Sequence, residues 1–368
     1  MSLRSVIISG GGTGGHIYPA LAIADEIKRR YPECKIRFVG AEGRMEMEKI
    51  PQAGYPIDGL WITGIERKLL SKKNLSFPFR IVSSLLKARR ILKEHRPDAV
   101  AGVGGFASGP LLFIASRMGI PTLIQEQNSF PGVTNKLLAK RAKSICTGFA
   151  GMERWFPADR TVHTGNPLRA VLSSRETSRE AALNHFNLNP SKPTVFIMGG
   201  SLGAKSINDG VAAALSRWDE LGINLLWQTG KRFAAENEKR VAEQGLEDTK
   251  VLGFIDRMDY AYAAADLIIS RAGAMSIAEL ALIGKATVFV PSPNVSEDHQ
   301  THNARSLTDS GAALLLADSQ VRTELEQTVV DLINDEPRRN ALGTAIRQFA
   351  RPNAAAAVVD QLERIARK

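Results

Sequence analysis

The chain has 368 residues, 44% hydrophobic and 23% charged, with no low-complexity tract; this excludes disordered and fibrous classes, and the length suits two domains better than one. Cys34 and Cys146 have neither a paired spacing nor a histidine cluster beside them, so no zinc site or disulfide framework is expected, and a reducing compartment fits best. The net charge is +10, yet aromatic residues make up only 6% and no recognition motif is present, which argues against nucleic acid as a partner.

In chain order, the N-terminus passes from Arg4 into Val6-Ile7-Ile8, an apolar stretch too short for a signal peptide, and the expectation is a cytosolic protein. A strand over 6–9 runs into Gly10-Gly11-Gly12-Thr13-Gly14-Gly15-His16, and a second strand is expected over 35–39. Residues 66–96 hold ten Lys or Arg against two Glu, a net +8, interleaved with Leu69, Phe77, Phe79, Ile81, Leu85 and Leu86. Cations beside apolar side chains suit an anionic membrane surface; the alternative is a solvated helix face with its apolar side in the core. The 18 uncharged residues between Asp98 and Arg117 approach the length of a membrane span. Gly102, Gly104, Gly105, Gly109 and Pro110 interrupt them, so they read as buried strand, glycine turn and buried helix.

Strands over 99–103, 122–125 and 144–147 complete a first strand-helix series, and a second follows over 194–198, 224–228, 251–254, 267–270, 287–290 and 312–316. Alternation of this kind predicts two doubly wound, Rossmann-like α/β domains facing across a cleft. The expected division is residues 1–166, joined by a C-terminal helical stretch 353–368, and residues 167–352. The first strand of the second half also ends in a glycine loop, Gly199-Gly200-Ser201-Leu202-Gly203. Glycines there let the backbone approach a ligand while helix N-terminal amides face an anion.

Residues 10–15 formally satisfy the dinucleotide fingerprint, but the acid expected on the ribose, Glu42, comes later than that pattern wants. His16 follows the glycines, where an imidazole is placed to take a proton from an attacking hydroxyl; the plainer reading is a helix-start histidine bonded only to backbone. Arg271-Ala272-Gly273-Ala274-Met275-Ser276-Ile277-Ala278-Glu279 runs from a strand into a helix, so free amides face a diphosphate and Glu279 reaches both hydroxyls of a ribose. The polar loop 292–300 follows the next strand, where a sugar is read. His299, His302 and Asp298 do not complete a metal set.

Together these residues resemble the MurG-type N-acetylglucosaminyltransferases of the glycosyltransferase B fold. The resemblance spans the whole chain through GGTGGHIYPALAIA from Gly10, GVGGFASGP from Gly102, QEQNSFPGVTNKLLAK from Gln125, TGNPLR from Thr164, GGSLGAKSIN from Gly199, GFIDRM from Gly253, SRAGAMSIAE from Ser270 and EDHQTHNA from Glu297. It implies that Thr13, Gly14 and Gly15 line the site, with His16 beside them as proposed base and Glu126 as a further catalytic carboxylate, the proton going to His16, Glu126 or a water. It places Asn128 and Arg169 on donor groups, Ser201 against phosphate and the Ile255 backbone on uracil. Ala274, Met275, Ser276, Ile277, Ala278 and Glu279 would hold diphosphate and ribose, and Gln300 the N-acetylglucosamine. The implied reaction is inverting transfer from UDP-N-acetylglucosamine to a lipid-linked muramoyl-pentapeptide at the cytoplasmic face of the membrane, by a peripheral protein without cofactor or catalytic metal. A UDP-N-acetylglucosamine 2-epimerase, a glycosyltransferase with a soluble acceptor and a non-catalytic binding subunit are the alternatives. Tyr18 stands where the family often has Phe, and the loop before Gln300 varies in length.

Overall fold

The computed structural model describes residues 3–64, 76–168, 177–200 and 202–366. The chain divides into two compact units, residues 1–170 with 351–368, and residues 171–350. Among the described residues of the first unit, β1 (Ser5–Ser9), β2 (Lys35–Ala41), β3 (Ile57–Leu60), β4 (Ala99–Gly102), β5 (Thr122–Glu126), β6 (Ser144–Thr147) and β7 (Thr161–His163) form one sheet in the order β3-β2-β1-β4-β5-β6-β7. All its pairings are parallel. Helices α1 (Gly14–Arg30), α2 (Glu46–Gln52), α3 (Phe77–His95), α4 (Ser108–Arg117) and α5 (Val133–Ala139) connect the strands.

The central strands β1 and β4 bury Val6, Ile7, Ile8, Ala99, Val100 and Ala101 completely, because a parallel sheet covered on both faces needs continuous apolar runs rather than alternation. Residues 98–117 form strand, glycine turn and helix, as the breakers predict. Strands β3 (Ile-Asp-Gly-Leu) and β7 (Thr-Val-His) were not expected from the sequence. Both are short edge strands with partly exposed residues, so neither needs the apolar run that marks a central strand.

The second unit repeats the plan with β8 (Thr194–Met198), β9 (Asn224–Gln228), β10 (Thr249–Leu252), β11 (Leu267–Ser270), β12 (Ala286–Phe289) and β13 (Leu314–Leu315), in the parallel order β10-β9-β8-β11-β12-β13. Its helices are α6 (Arg179–Phe186), α7 (Lys205–Glu220), α8 (Ala234–Glu243), α9 (Met258–Ala264), α10 (Ala274–Ile283), α11 (His299–Thr308), α12 (Val321–Ile333) and α13 (Glu336–Arg347). The last helix, α14 (Ala354–Ala366), returns to the first unit. There Val358, Val359, Leu362 and Ile365 share a core with Ile23 and Ile27, and Arg30 reaches Asp360 at 2.5 Å and Glu363 at 3.1 Å. In each unit the strand order reverses beside the first strand, between β1 and β4 and between β8 and β11. Doubly wound sheets bind ligands at such switch points, outside the carboxyl ends of the strands.

Candidate active site

At the first switch point, β1 leads through the glycine loop into α1, which opens at Thr13, Gly14 and Gly15. His16 sits in the first turn, half-buried, with Nδ1 2.8 Å from the Gly11 carbonyl. A carbonyl only accepts, so Nδ1 carries the proton and, in the neutral ring, the basic lone pair belongs to Nε2. The turn after β4 packs on this ring. Gly104 has φ +101°, and a Cβ there would lie 2.5 Å from His16 Cδ2 and 2.7 Å from Nε2; one at Gly105 would lie 2.5 Å from the Gly11 oxygen. Two glycine-rich segments thus clamp the imidazole and the carbonyl that orients it.

Beneath the same loop lies Glu46, 1% exposed, a residue the sequence did not single out. Its carboxylate accepts from the Gly12 amide at 2.8 Å and the Ala41 amide at 3.0 Å, tying the loop to the end of β2. The expectation that both glycine loops cradle phosphate therefore needs correction at Gly12, whose amide serves an internal carboxylate. No motif spacing points to Glu46, which lies 34 residues beyond the amide it satisfies.

Glu126 ends β5 and is 2% exposed. It accepts from the Asn128 amide at 3.0 Å and side chain at 3.3 Å, the Gly132 amide at 3.2 Å and Asn135 Nδ2 at 2.8 Å. Four donors on one carboxylate shape the turn that carries Asn128 into α5. Gln127, next in sequence, donates to the Val103 carbonyl at 2.9 Å, joining this turn to the segment beside His16. Gln125 and Asn166 extend the buried network, with Asn166 donating to the Gln127 carbonyl at 3.0 Å.

In the second unit the loop after β8 faces a neutral partner: the Gly200 amide donates to Gln228 Oε1 at 3.2 Å. The helix α10 begins after β11 at Gly273, with no side-chain cap at Gly273 and no acidic residue in its first turn, so the helix's own first turn adds no negative charge to its positive end. Met275, Ser276 and Ala278 are half-buried, whereas Ala274 and Ile277 face the core. Glu279 follows on the same helix, and its Oε2 accepts the Tyr262 hydroxyl at 2.8 Å. Burial pushes the Glu279 carboxyl up to about 7, with Tyr262 pulling it down.

Ile255 is buried in the turn after β10. Gln300 receives the Ser292 amide at 2.9 Å and so closes its own loop, in which Glu297 and Asp298 both take positive φ, at 55° and 49°. Arg271 binds the Val290 and Pro291 carbonyls at 3.1 and 3.2 Å and Asp318 at 2.5 Å, fixing the strand end from which that loop departs. Arg169 and Ser201 lie outside the described residues, as do residues 66–75 of the basic segment.

The described part of that segment is α3. Its inner face buries Ser84, Ala88, Ile91 and Leu92, while Phe79, Val82 and Leu86 point outward at 74%, 57% and 63% exposure, beside exposed Lys87, Arg89, Arg90 and Lys93. Among the described residues no helix is long and apolar enough to cross a membrane.

Known proteins share this architecture in detail. The glycosyltransferase family 28 N-terminal domain matches residues 6–147, and the family's C-terminal domain matches residues 194–358. A UDP-N-acetylglucosamine--N-acetylmuramyl-(pentapeptide) pyrophosphoryl-undecaprenol N-acetylglucosamine transferase from Christiangramia forsetii is 51% identical over 360 residues, 98% of this chain and 97% of its own. The crystal structure of Acinetobacter baumannii MurG superposes with TM-score 0.81 at 33% identity, covering 98% of this chain and 99% of that one. A UDP-N-acetylglucosamine 2-epimerase, at 11% identity and TM-score 0.65 over 97% of this chain and 95% of its own, shares the fold alone. With both domain matches in order and half its residues shared along nearly the full length, the chain belongs to glycosyltransferase family 28, in its MurG-type branch.

Proposed function

We infer that this chain transfers N-acetylglucosamine from UDP-N-acetylglucosamine to the 4-hydroxyl of the muramoyl sugar of undecaprenyl-pyrophosphoryl-N-acetylmuramoyl-pentapeptide, converting lipid I to lipid II in peptidoglycan synthesis. The activity named for the relatives supports this reading. The observation that carries it is a division of chemistry within one chain: a clamped imidazole in the loop after β1 and, in the second unit, a helix start with no acidic residue in its first turn, followed by a half-buried carboxylate held by a tyrosine.

In this mechanism His16 Nε2 takes the proton of the acceptor hydroxyl as its oxygen attacks the anomeric carbon, and the bond to the UDP oxygen breaks on the opposite face. One displacement inverts the centre, needs one base and forms no covalent sugar-enzyme intermediate, in the logic of inverting glycosidases. Charge on the departing diphosphate is met by the first-turn amides of α10, by Arg169 and by the Ser201 loop, preorganised dipoles that do not call for a metal. Glu279 holds the ribose hydroxyls, the Ile255 backbone reads uracil, Gln300 reads the sugar and Asn128 contacts the donor. Thr13, Gly14 and Gly15 surround the reacting groups. Glu126, with its four donors, shapes the Asn128 turn and leaves the proton to His16. The outward face of α3 docks on the anionic cytoplasmic leaflet, where a lipid-linked acceptor waits.

The test is UDP release with and without the lipid-linked acceptor. Acceptor-dependent release with a new β-1,4 disaccharide is expected. Acceptor-independent turnover to N-acetylmannosamine would instead make the chain an epimerase. His16→Ala should lower kcat about 100-fold or more with little change in donor binding, whereas Glu279→Ala should weaken donor binding; equal loss of binding in both variants refutes the assignment.

A further inference from the structure

Glu279 does not stand by itself. The Tyr262 hydroxyl, from α9, donates to Oε2 at 2.8 Å, while Oε1 accepts nothing from the described residues. Tyr262 is 1% exposed, and its ring packs edge-on against Phe196 of β8, with centroids 6.0 Å apart and planes at 67°. The other neighbour of its hydroxyl is Met198 Sδ, at 3.5 Å, a weak acceptor. A buried phenol with one strong acceptor has one orientation. Burial and the adjacent carboxylate raise its pKa well above 10, so it stays a donor.

We propose that Tyr262 is the positioning residue of the donor's ribose site: it holds Oε2, fixes the plane of the Glu279 carboxylate and leaves Oε1 turned to the ribose diol. This rests on reading Glu279 as the ribose-binding carboxylate. The hydrogen bond stabilises the ionised carboxylate, and that is the form able to accept from both hydroxyls. Among the described residues, the basic side chains on the helices packed against α10, namely His299, His302 and Arg305 on α11 and Arg338, Arg339 and Arg347 on α13, are not partners of the Glu279 carboxylate, whose hydrogen bond is with Tyr262. Tyr262 is thus the neighbour that opposes burial, which pushes the carboxyl up to about 7.

Donor capture is then coupled to a proton. Below neutrality the free site is protonated, and Glu279 must release that proton to solvent before the diol binds fully. Affinity therefore rises with pH toward a plateau and falls as pH drops, by up to about tenfold per unit.

The experiment is calorimetric titration of the intact enzyme with UDP-N-acetylglucosamine from about pH 5.5 to 8.5, repeated in buffers of different ionisation heat to count the proton released. The donor suits the test because its diphosphate is esterified at both ends and does not titrate in this window. Wild type should show the plateau and the acid limb. Tyr262→Phe should move the midpoint about one pH unit higher and, with the carboxylate plane no longer held, bind more weakly on the plateau as well, raising the donor KM most near neutrality. Glu279→Gln should bind weakly at every pH, without the acid limb. If Tyr262→Phe leaves the midpoint in place, whatever the plateau affinity, Tyr262 only fills space and the proposal is overturned. If Glu279→Gln binds as wild type does, the ribose assignment of Glu279 itself has failed, an outcome separable from the first.

Discussion

Gly104→Ala tests the role of His16 without touching it. The new Cβ would lie 2.5 Å from His16 Cδ2 and 2.7 Å from Nε2, at a φ of +101°. Real Cβ atoms do not approach so closely, and backbone cannot yield easily where the adjacent turn already abuts Gly11. The ring must therefore swing away, giving up the 2.8 Å hydrogen bond to the Gly11 carbonyl that sets its tautomer. A displacement of about 1 Å at a catalytic group costs on the order of 100-fold in rate. The positive φ separately costs about 1–3 kcal/mol of stability. Gly43→Ala supplies the control: it has φ +70° and nothing within 4 Å of the built Cβ, so it meets a backbone penalty of similar kind and leaves His16 alone. Steady-state UDP release at saturating donor and acceptor, with thermal melting, separates the two effects. Gly104→Ala should lose about 100-fold in kcat while binding donor normally; Gly43→Ala should melt earlier and turn over normally. A folded Gly104→Ala enzyme with near wild-type kcat refutes the base assignment, and equal losses in both variants reduce the effect to general destabilisation.

Glu126→Gln replaces one acceptor oxygen with a donor amide in a site that already supplies four donors. It should cost about 1.5–3 kcal/mol, read as a lower melting temperature with kcat retained well below it; lost turnover without lost stability would make Glu126 a catalytic group. Phe79→Ser combined with Leu86→Ser removes two exposed apolar groups from α3, each worth at most about 1.5–3 kcal/mol when buried in lipid. Affinity for anionic vesicles, read by co-sedimentation, should fall by up to about 100-fold, and unchanged binding would reject this face as the docking surface.

The sequence announces most of this fold because central parallel strands must be apolar throughout and glycine loops must stay glycine. The runs over 194–198 and 224–228 coincide with β8 and β9 to the residue. Edge strands β3 and β7 escape such reading, since one face and one edge are free of those demands. In the second unit the last expected strand, 312–316, shrinks to Leu314–Leu315, again at an edge. In the proposed site, motif residues such as His16 and Glu279 stand out in the sequence, but the groups that hold them do not. Glu46, Tyr262 and Gln228 reach their partners across 34, 17 and 28 positions, and nothing in local spacing records a contact made by folding.

Those supporting groups also explain how one supersecondary plan serves two chemistries. Both units lead from a buried strand through glycines into a helix, yet the loop after β1 rests on a buried carboxylate and the loop after β8 on a neutral amide. At an effective dielectric near 20, a second unit negative charge about 5 Å from Glu46 would cost about 3 kcal/mol. The same field favours a positive charge beside it, such as the imidazolium His16 becomes after taking a proton. The loop on Gln228 carries no such charge, and α10 adds a helix start whose own first turn holds no acidic residue. Negative charge on a departing diphosphate is therefore easier to accept in the second unit, and a proton in the first. Exchanging the two anchors, by Glu46→Gln or Gln228→Glu, should leave the fold in place while working against the chemistry of the loop above.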